Sequence, residues 1–160
     1  MLRILFVCTG NLCRSPMAQY MLMDRLAELG VEDVRVKSAG FIAQNGTPAC
    51  PRGVALTALQ GTDMARHRAQ MLTRSLLEWA DQIIVMEKRH LRLAHDMAPN
   101  EGWKMSLFSK FLEGKENMDV PDPYGREEKD YMTTLAMIRE GVHNLAMEIA
   151  GKKPGDAQLA

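Results

Sequence analysis

The residues best suited to carry out a reaction lie together near the start of the chain. Residues 7–16 read Val-Cys-Thr-Gly-Asn-Leu-Cys-Arg-Ser-Pro, and five residues separate Cys8 from Arg14. A short apolar run precedes this segment and a helical pattern follows it, so backbone N–H groups and the positive end of a helix dipole face it. The guanidinium of Arg14 can bind two phosphate oxygens at once. The segment therefore predicts a binding site for phosphate or a similar anion.

The thiol of Cys8 adds a nucleophile to this predicted anion site. Because Cys8 stands at the end of a strand, the loop amides and Arg14 would stabilise its thiolate. A thiolate beneath a bound phosphoryl group is placed for in-line attack. Gly10 and Asn11 tolerate the left-handed backbone that turns several amides inward. The alternative is an inert buried thiol beside a surface arginine, but the context of strand, loop and helix favours the functional interpretation.

Alternating strands and helices must position this loop. Short apolar runs predict strands at residues 2–7, 34–37, 83–86 and 105–108, and apolar residues at helical spacing predict helices at 15–30, 51–61, 76–80 and 131–149. In the first helix Ser15 can act as the N-cap, Pro16 suits the first turn, and Gly30 stands where the helix should end. Strands that alternate with helices predict an α/β fold with a mostly parallel sheet.

The composition limits the classes of partner. The chain has 160 residues, with 20 basic and 20 acidic side chains, so its formal net charge is zero. A general nucleic-acid or membrane-surface binder would normally show a basic excess. Three cysteines make a poor disulfide framework, and no signal-peptide or membrane-spanning pattern stands out, which predicts a cytoplasmic protein. We expect one domain over residues 1–150 and a disordered tail over residues 151–160.

The loop sequence closely resembles the signature of the low-molecular-weight protein tyrosine phosphatases. Three further segments match that family in the same order: Ser38-Ala39-Gly40, His67-Arg68-Ala69 and Asp122-Pro123-Tyr124. The resemblance implies a flavodoxin-like, three-layer αβα sandwich, in which a four-stranded parallel sheet has the order 2-1-3-4. It also implies an active site beyond the carboxyl end of the first strand and hydrolysis of phosphotyrosine without a metal or cofactor.

The resemblance assigns roles to the residues of the site. Cys8 is the nucleophile that forms a phosphocysteine, and Arg14 binds the phosphate and the transition state. Asp122 protonates the leaving phenolate and then activates water. From the residues alone, Asp119, Glu127 and Glu128 would be equally good candidates for this acid. The predicted phosphate-binding loop comprises Cys8, Thr9, Gly10, Asn11, Leu12, Cys13, Arg14 and Ser15.

Four residues match positions that brace the loop in this family. By resemblance, the Asn11 side chain is held by His67 and by Ser38, and Ser15 stabilises the thiolate through a hydrogen bond. Cys13 is close enough to form a reversible disulfide with oxidised Cys8, or it is a small buried residue beneath the loop. We give Cys50 no role, and we interpret the remaining histidines as structural: His90, His95 and His143.

The residues expected to form one wall of the substrate cleft depart from the family pattern. Members often have an aromatic residue about six positions after the serine of the second strand, but residues 41–45 read Phe-Ile-Ala-Gln-Asn. This wall is therefore non-aromatic or supplied by Phe41. Leu12 and Tyr124 are the remaining candidates for contact with the substrate, and stacking on its ring would depend mainly on Tyr124.

Other activities of the same fold fit less well. Protein-arginine phosphatases typically have a threonine where this chain has Leu12, and arsenate reductases need a further cysteine pair in mid-chain. A phosphotyrosine-binding module would not need Asp122, and two cysteines at this spacing make a poor zinc site. The expected partner is a phosphotyrosine-containing protein, such as a tyrosine kinase. Inorganic phosphate is the expected product, and a monomer the expected state.

Overall fold

The computed structural model describes residues 1–153 and Asp156. Within them, four strands alternate with five α-helices and two short 3-10 helices. The strands are β1 (Leu2–Cys8), β2 (Val34–Gly40), β3 (Gln82–Val85) and β4 (Met105–Leu107). The helices are α1 (Arg14–Glu28), α2 (Pro51–Leu59), α3 (Arg74–Trp79), α4 (Lys88–Met97) and α5 (Glu128–Ile149), with 3-10 helices at Pro99–Lys104 and Phe108–Phe111.

The sheet is parallel and has the order β2-β1-β3-β4, which confirms the predicted fold and strand order. Ile4 and Phe6 of β1 pack into one apolar core together with residues of α1 and α5. Leu5 and Val7 pack on the opposite face with residues of α3 and α4. Because β1 is buried on both faces, its sequence is a continuous apolar run rather than an alternating one.

Two details near the loop differ from the sequence-based expectation. β2 continues to Gly40, so the segment Ser38-Ala39-Gly40 lies inside the strand rather than after it, and Gly40 is paired with Cys8. α1 begins at Arg14 with Cys13 at the N-cap position. Ser15 therefore does not cap the helix, because its hydroxyl is used inside the loop.

Helix α4 was not expected from the sequence. Its sequence is Lys-Arg-His-Leu-Arg-Leu-Ala-His-Asp-Met, and only His90 and Ala94 are buried, so its apolar stripe is too short to stand out in the sequence. α5 begins three residues before the expected start, and the other elements lie within a few residues of their expected bounds. The expected tail falls largely on residues 154–155 and 157–160, which lie outside the described part of the chain.

The fold places the first loop at a switch point of the sheet. β1 is flanked by β2 on one side and β3 on the other, and the chain leaves its carboxyl end directly into the loop and α1. Ligands of open α/β sheets bind in this position. Among residues 1–153 and Asp156, no helix has the length and apolar composition that a membrane crossing requires.

Candidate active site

The Cys8 sulfur lies at the bottom of the loop and receives two hydrogen bonds. The backbone N–H of Asn11 donates to Sγ at 3.2 Å, and the Ser15 hydroxyl lies 2.9 Å from it. The Asn11 side-chain amide donates to the Ser15 oxygen at 2.8 Å, so the hydroxyl hydrogen of Ser15 is available to the sulfur. Both donors are directed at the sulfur atom.

Asn11 connects the loop to the rest of the fold. Its φ of 55° is the left-handed conformation that the turn requires, and it is Asn11 rather than Gly10 that adopts a positive φ. Its side-chain amide also donates to the Ser38 hydroxyl at 2.9 Å, and its Oδ1 accepts from the backbone N–H of Gln70 at 2.9 Å. Because Asn11 is completely buried, these bonds fix the loop without a ligand.

The expectation that His67 holds the Asn11 side chain is wrong. His67 Nε2 bonds the Asn11 backbone carbonyl at 2.9 Å, and the side chain is instead held by Ser15, Ser38 and Gln70. Burial lowers the pKa of His67, so the ring is neutral near pH 7, and its Nε2–H is the donor to this carbonyl. Ser38 is fixed in turn by its own donation to Gln19 at 2.6 Å.

Gly40 allows the loop to pack directly on β2. A Cβ atom at this position would lie 2.7 Å from the Thr9 carbonyl oxygen and 2.8 Å from the Asn11 nitrogen. Real Cβ atoms do not approach backbone atoms so closely, so only glycine fits here. The resemblance singled out this glycine, and its role is close approach rather than a turn.

Arg14 is bound by Glu87, an acidic residue that the sequence analysis did not select. Its guanidinium is almost fully buried, and its NH1 donates to Glu87 Oε2 at 2.8 Å and to the Val120 carbonyl at 2.8 Å. Burial by itself would raise the pKa of Glu87, but hydrogen bonds from Arg89 and Arg14 outweigh it and lower that pKa. Glu87 is therefore a carboxylate that orients Arg14.

Thr9 is held by two further residues that were not expected at the site. Its Oγ1 lies 3.1 Å from His90 Nε2 and accepts from Arg89 NH2 at 2.9 Å. Since His90 Nδ1 accepts the backbone N–H of Glu87 at 3.1 Å, the proton of the neutral ring is on Nε2 and points to Thr9. Burial lowers the pKa of His90 to about 4, which keeps this ring neutral near pH 7.

The loop opens into a cavity of about 200 Å³ that contains the expected catalytic residues. Its lining residues are Cys8, Thr9, Gly10, Leu12, Cys13, Arg14, Ile42, Asp122 and Tyr124. Asp122 Oδ2 lies 3.6 Å from Arg14 NH2, and Asp122 Oδ1 accepts the backbone N–H of Tyr124 at 3.1 Å. A larger cavity of about 550 Å³ between α2 and α5 contains none of these side chains.

Of the three other acidic candidates in this stretch, none lines the cavity, and Asp119 has a different contact. Asp119 Oδ1 accepts the backbone N–H of Lys88 at 2.8 Å, which satisfies a free amide at the start of α4. It does not line the cavity, whereas Asp122 does. The structure therefore distinguishes Asp122, which lies at the cavity, from Asp119, which does not. Residue type and spacing in the sequence could not make this distinction.

The mouth of the cavity is apolar on two sides. Ile42 is 73% exposed and Tyr124 is 61% exposed, and both line the cavity. Phe41 does not form this wall, because its ring stacks on His90 with the centroids 5.2 Å apart. The wall after β2 is therefore non-aromatic and is supplied by Ile42.

The two other cysteines lie together below the loop. Cys13 and Cys50 are both buried, and the backbone N–H of Cys50 donates to the Leu12 carbonyl at 3.0 Å. Hydrogen bonding with Cys50 and burial raise the pKa of Cys13, whereas hydrogen bonding with Cys13 lowers the pKa of Cys50. No signal in the sequence linked these two residues, which are 37 positions apart.

Comparisons with known proteins agree with this geometry. Residues 3–154 match the family model described as low molecular weight phosphotyrosine protein phosphatase. The chain is 39% identical over 142 residues to the probable low molecular weight protein-tyrosine-phosphatase EpsP of Ralstonia solanacearum, covering 87% of this chain and 90% of the relative. It is 33% identical over 139 residues to a protein-arginine-phosphatase of Geobacillus stearothermophilus, covering 83% and 90%.

A solved structure shows the same relationship in three dimensions. Vibrio vulnificus Wzb in complex with benzylphosphonate superposes with a TM-score of 0.83 at 30% identity, covering 92% of this chain and 98% of that one. The family match extends over nearly the whole chain, and the sheet order and the cysteine–arginine loop agree with it. The chain belongs to the low-molecular-weight protein tyrosine phosphatase family and is a phosphoric monoester hydrolase.

Proposed function

We propose that this protein hydrolyses phosphotyrosine in proteins through a phosphocysteine formed on Cys8. The observation that carries the proposal is that one small cavity is lined by the Cys8 thiol, the Arg14 guanidinium and the Asp122 carboxyl. These are a nucleophile, a phosphate ligand and a proton donor, which are the groups that hydrolysis of a phosphate monoester requires.

The loop and Arg14 bind the phosphoryl group. The NH1 edge of Arg14 is occupied by Glu87 and the Val120 carbonyl. NH2 has longer contacts, with Thr9 Oγ1 at 3.5 Å and with Asp122 Oδ2 at 3.6 Å, so Nε and NH2 are the groups that bind two phosphoryl oxygens. The loop amides at the N-terminus of α1 donate to the remaining charge. Because Asn11 and its partners hold the loop before substrate arrives, little reorganisation is needed when charge develops in the transition state.

The reaction then proceeds in two displacements. The Cys8 thiolate attacks phosphorus in line, a P–S bond forms, and the P–O bond to the phenol oxygen breaks while Asp122 donates its proton to that oxygen. In the second step the Asp122 carboxylate accepts a proton from water, which attacks phosphorus and breaks the P–S bond. Inorganic phosphate leaves, and both Cys8 and Asp122 return to their starting states.

The apolar rim supports tyrosine as the phosphorylated side chain. Leu12, Ile42 and Tyr124 offer apolar contact to a phenyl ring beyond the phosphorus. The guanidinium of phosphoarginine would need hydrogen-bond acceptors once it is desolvated, and a leucine side chain has none. The similarity to a protein-arginine-phosphatase makes phosphoarginine the competing substrate.

A kinetic comparison of the two substrates tests this assignment. We expect the wild-type enzyme to have a higher kcat/KM for a phosphotyrosine peptide than for phosphoarginine. Leu12→Thr removes apolar area and adds a hydroxyl, so it should shift the ratio toward phosphoarginine by about tenfold, or roughly 1.4 kcal/mol. If the wild-type enzyme prefers phosphoarginine, it is a protein-arginine phosphatase and the tyrosine assignment is wrong, independently of the result for Leu12→Thr.

We further propose that Cys13 protects Cys8 from irreversible oxidation. Cys13 lines the same cavity as Cys8. A sulfenic acid on Cys8 can therefore condense with the Cys13 thiol to a disulfide that thiols reduce.

A phosphotyrosine-containing protein, such as a tyrosine kinase, is the expected partner, and capture by a Cys8→Ser variant is the experiment that would identify it.

A further inference from the structure

A third cysteine, Cys50, lies next to the loop that carries Cys8 and Cys13. Cys8, Cys13 and Cys50 are 3%, 3% and 5% exposed and belong to the same apolar core. The backbone bond from Cys50 to the Leu12 carbonyl fixes the start of α2 against the residue next to Cys13. The Cys50 side chain is within hydrogen-bonding reach of the Cys13 thiol. Cys13 lines the cavity together with Cys8, whereas Cys50 is not part of the cavity lining.

The position of Cys50 favours its thiolate. It is the N-cap residue of α2, where the helix dipole favours a negative charge, and its side chain makes no capping hydrogen bond. Its sulfur lies over Gly53, where a Cβ atom would be only 2.6 Å from Sγ. The Tyr131 hydroxyl is within hydrogen-bonding reach of both sulfurs, and burial raises the pKa of Tyr131 to about 12, so this hydroxyl acts as a neutral donor.

Cys13 and Cys50 affect each other's pKa. Their mutual hydrogen bond raises the pKa of Cys13 and lowers that of Cys50. Once Cys8 and Cys13 are joined in a disulfide, Cys50 is the one of the three cysteines that remains a thiol and can attack. Thiol–disulfide exchange proceeds by attack of a thiolate on one sulfur of an existing disulfide. A disulfide that includes Cys13 would present such a sulfur to Cys50.

We propose that Cys50 is a second resolving thiol, which converts a Cys8–Cys13 disulfide into a Cys13–Cys50 disulfide and returns Cys8 to its active form. This inference rests on the proposed function in one respect, namely that Cys8 is the thiolate that oxidants attack first. It adds a second disulfide site, in which Cys13 of the cavity lining is bonded to Cys50 outside that lining, with a hydroperoxide as the oxidant.

Each step balances. The Cys8 thiolate attacks the hydroperoxide, the O–O bond breaks, and Cys8 becomes a sulfenic acid while an alcohol or water leaves. The Cys13 thiol condenses with it, which forms the Cys8–Cys13 bond and releases water. The Cys50 thiolate then attacks Cys13 Sγ, the S–S bond to Cys8 breaks, and Cys8 leaves as a thiolate. Two electrons pass in total from Cys13 and Cys50 to the peroxide.

The consequence is that a first oxidation leaves the enzyme active. The oxidised protein carries its disulfide beneath the loop, and Cys8 is free to attack substrate. Only a further equivalent of peroxide inactivates the enzyme, because no resolving thiol then remains for Cys8. An enzyme that used Cys13 alone would lose its activity with the first equivalent.

Disulfide mapping after a single equivalent of hydrogen peroxide tests the proposal. Wild type and Cys50→Ser are reduced, freed of reductant and treated with the peroxide, and the reaction is stopped with catalase. The free thiols are then alkylated and the protein is digested for mass spectrometry. Residual activity on p-nitrophenyl phosphate is measured in parallel. Serine is a good N-cap, so Cys50→Ser should fold and keep its basal activity. Gly53→Ala retains all three cysteines but displaces the Cys50 sulfur.

We expect wild type to carry the Cys13–Cys50 disulfide and to retain most of its activity. Cys50→Ser should carry Cys8–Cys13 and lose most of its activity until dithiothreitol is added, and Gly53→Ala should accumulate more Cys8–Cys13 than wild type. Wild-type protein in which Cys50 remains a free thiol after this treatment would overturn the relay. The activity of untreated wild type on phosphotyrosine reports separately on the proposed function.

Discussion

At the scale of single residues, the proposed mechanism distinguishes groups that would act on the substrate from groups that hold them. Cys8, Arg14 and Asp122 line the cavity, whereas Asn11 and Glu87 act through them. Asn11 fixes the backbone N–H that faces the Cys8 sulfur, and Glu87 fixes the edge of Arg14 that is turned away from the substrate. Both are buried or nearly so, which makes their hydrogen bonds costly to lose.

Glu87→Gln should weaken the hold on Arg14. The amide can still accept a hydrogen bond from NH1, but the charge that orients the guanidinium is removed. We expect kcat/KM to fall by about tenfold or more, which corresponds to roughly 1.4 kcal/mol or more of transition-state stabilisation. Vanadate affinity should fall with it, since both depend on Arg14. Glu78→Gln, which breaks the exposed ion pair with Arg74, is the matched control and should change neither quantity.

Asp122→Asn should give a loss that depends on the leaving group. Aryl phosphates with basic phenols need protonation most, so we expect them to lose about 10²–10⁴-fold in rate, and activated aryl phosphates much less. Asp119→Asn should leave the profile across leaving groups unchanged, because Asp119 only bonds the start of α4. An equal loss for all leaving groups would reduce Asp122 to a structural residue.

At the scale of elements, the loop packs directly on the carboxyl end of β2. Gly40→Ala introduces a methyl group 2.7 Å from the Thr9 carbonyl oxygen, so β2 and the loop must separate. We expect a loss of about 1–3 kcal/mol in the free energy of unfolding, as for other overpacked sites, together with a large loss of activity. Urea unfolding and kcat/KM measure the two effects. Unchanged activity would show that the loop does not need this close contact.

The elements also show what the sequence could reveal. The strands and α5 could be predicted because short continuous apolar runs and regular helical spacing reflect burial, and the fold followed from the resemblance of four short segments. Helix α4 could not, because most of its side chains face solvent. Gln70 and Glu87 contact the loop residues Asn11 and Arg14 from positions 59 and 73 residues away. Only the packing of the sheet brings such pairs together.

At the scale of the whole molecule, neutral buried histidines make stability depend on pH. The pKa of His90 is about 4, whereas an unfolded histidine titrates near 6.5. Between these values the unfolded chain binds a proton that the native protein excludes, so stability is full above pH 6.5 and falls as the pH decreases toward 4. The slope is at most about 1.4 kcal/mol per pH unit for this group.

The charged groups around His90 are Glu87, Arg14, Arg89 and Asp119. The effect of His90 alone therefore comes from a comparison with His90→Gln, which does not titrate. Urea unfolding at pH 7 and pH 5 should show a smaller loss of stability in the variant than in wild type. Equal losses in both proteins would mean that His90 takes up its proton in the folded state.

The central claim is that hydrolysis passes through a phosphoryl group on Cys8. Acid quench of the wild-type enzyme during turnover of a phosphotyrosine peptide, followed by mass spectrometry of the peptide that contains Cys8, tests it directly. We predict one phosphoryl group on Cys8 in wild type, and no turnover in Cys8→Ser although vanadate still binds. A wild-type enzyme that turns over without a phosphoryl group on Cys8, or a Cys8→Ser enzyme that retains activity, would contradict the account.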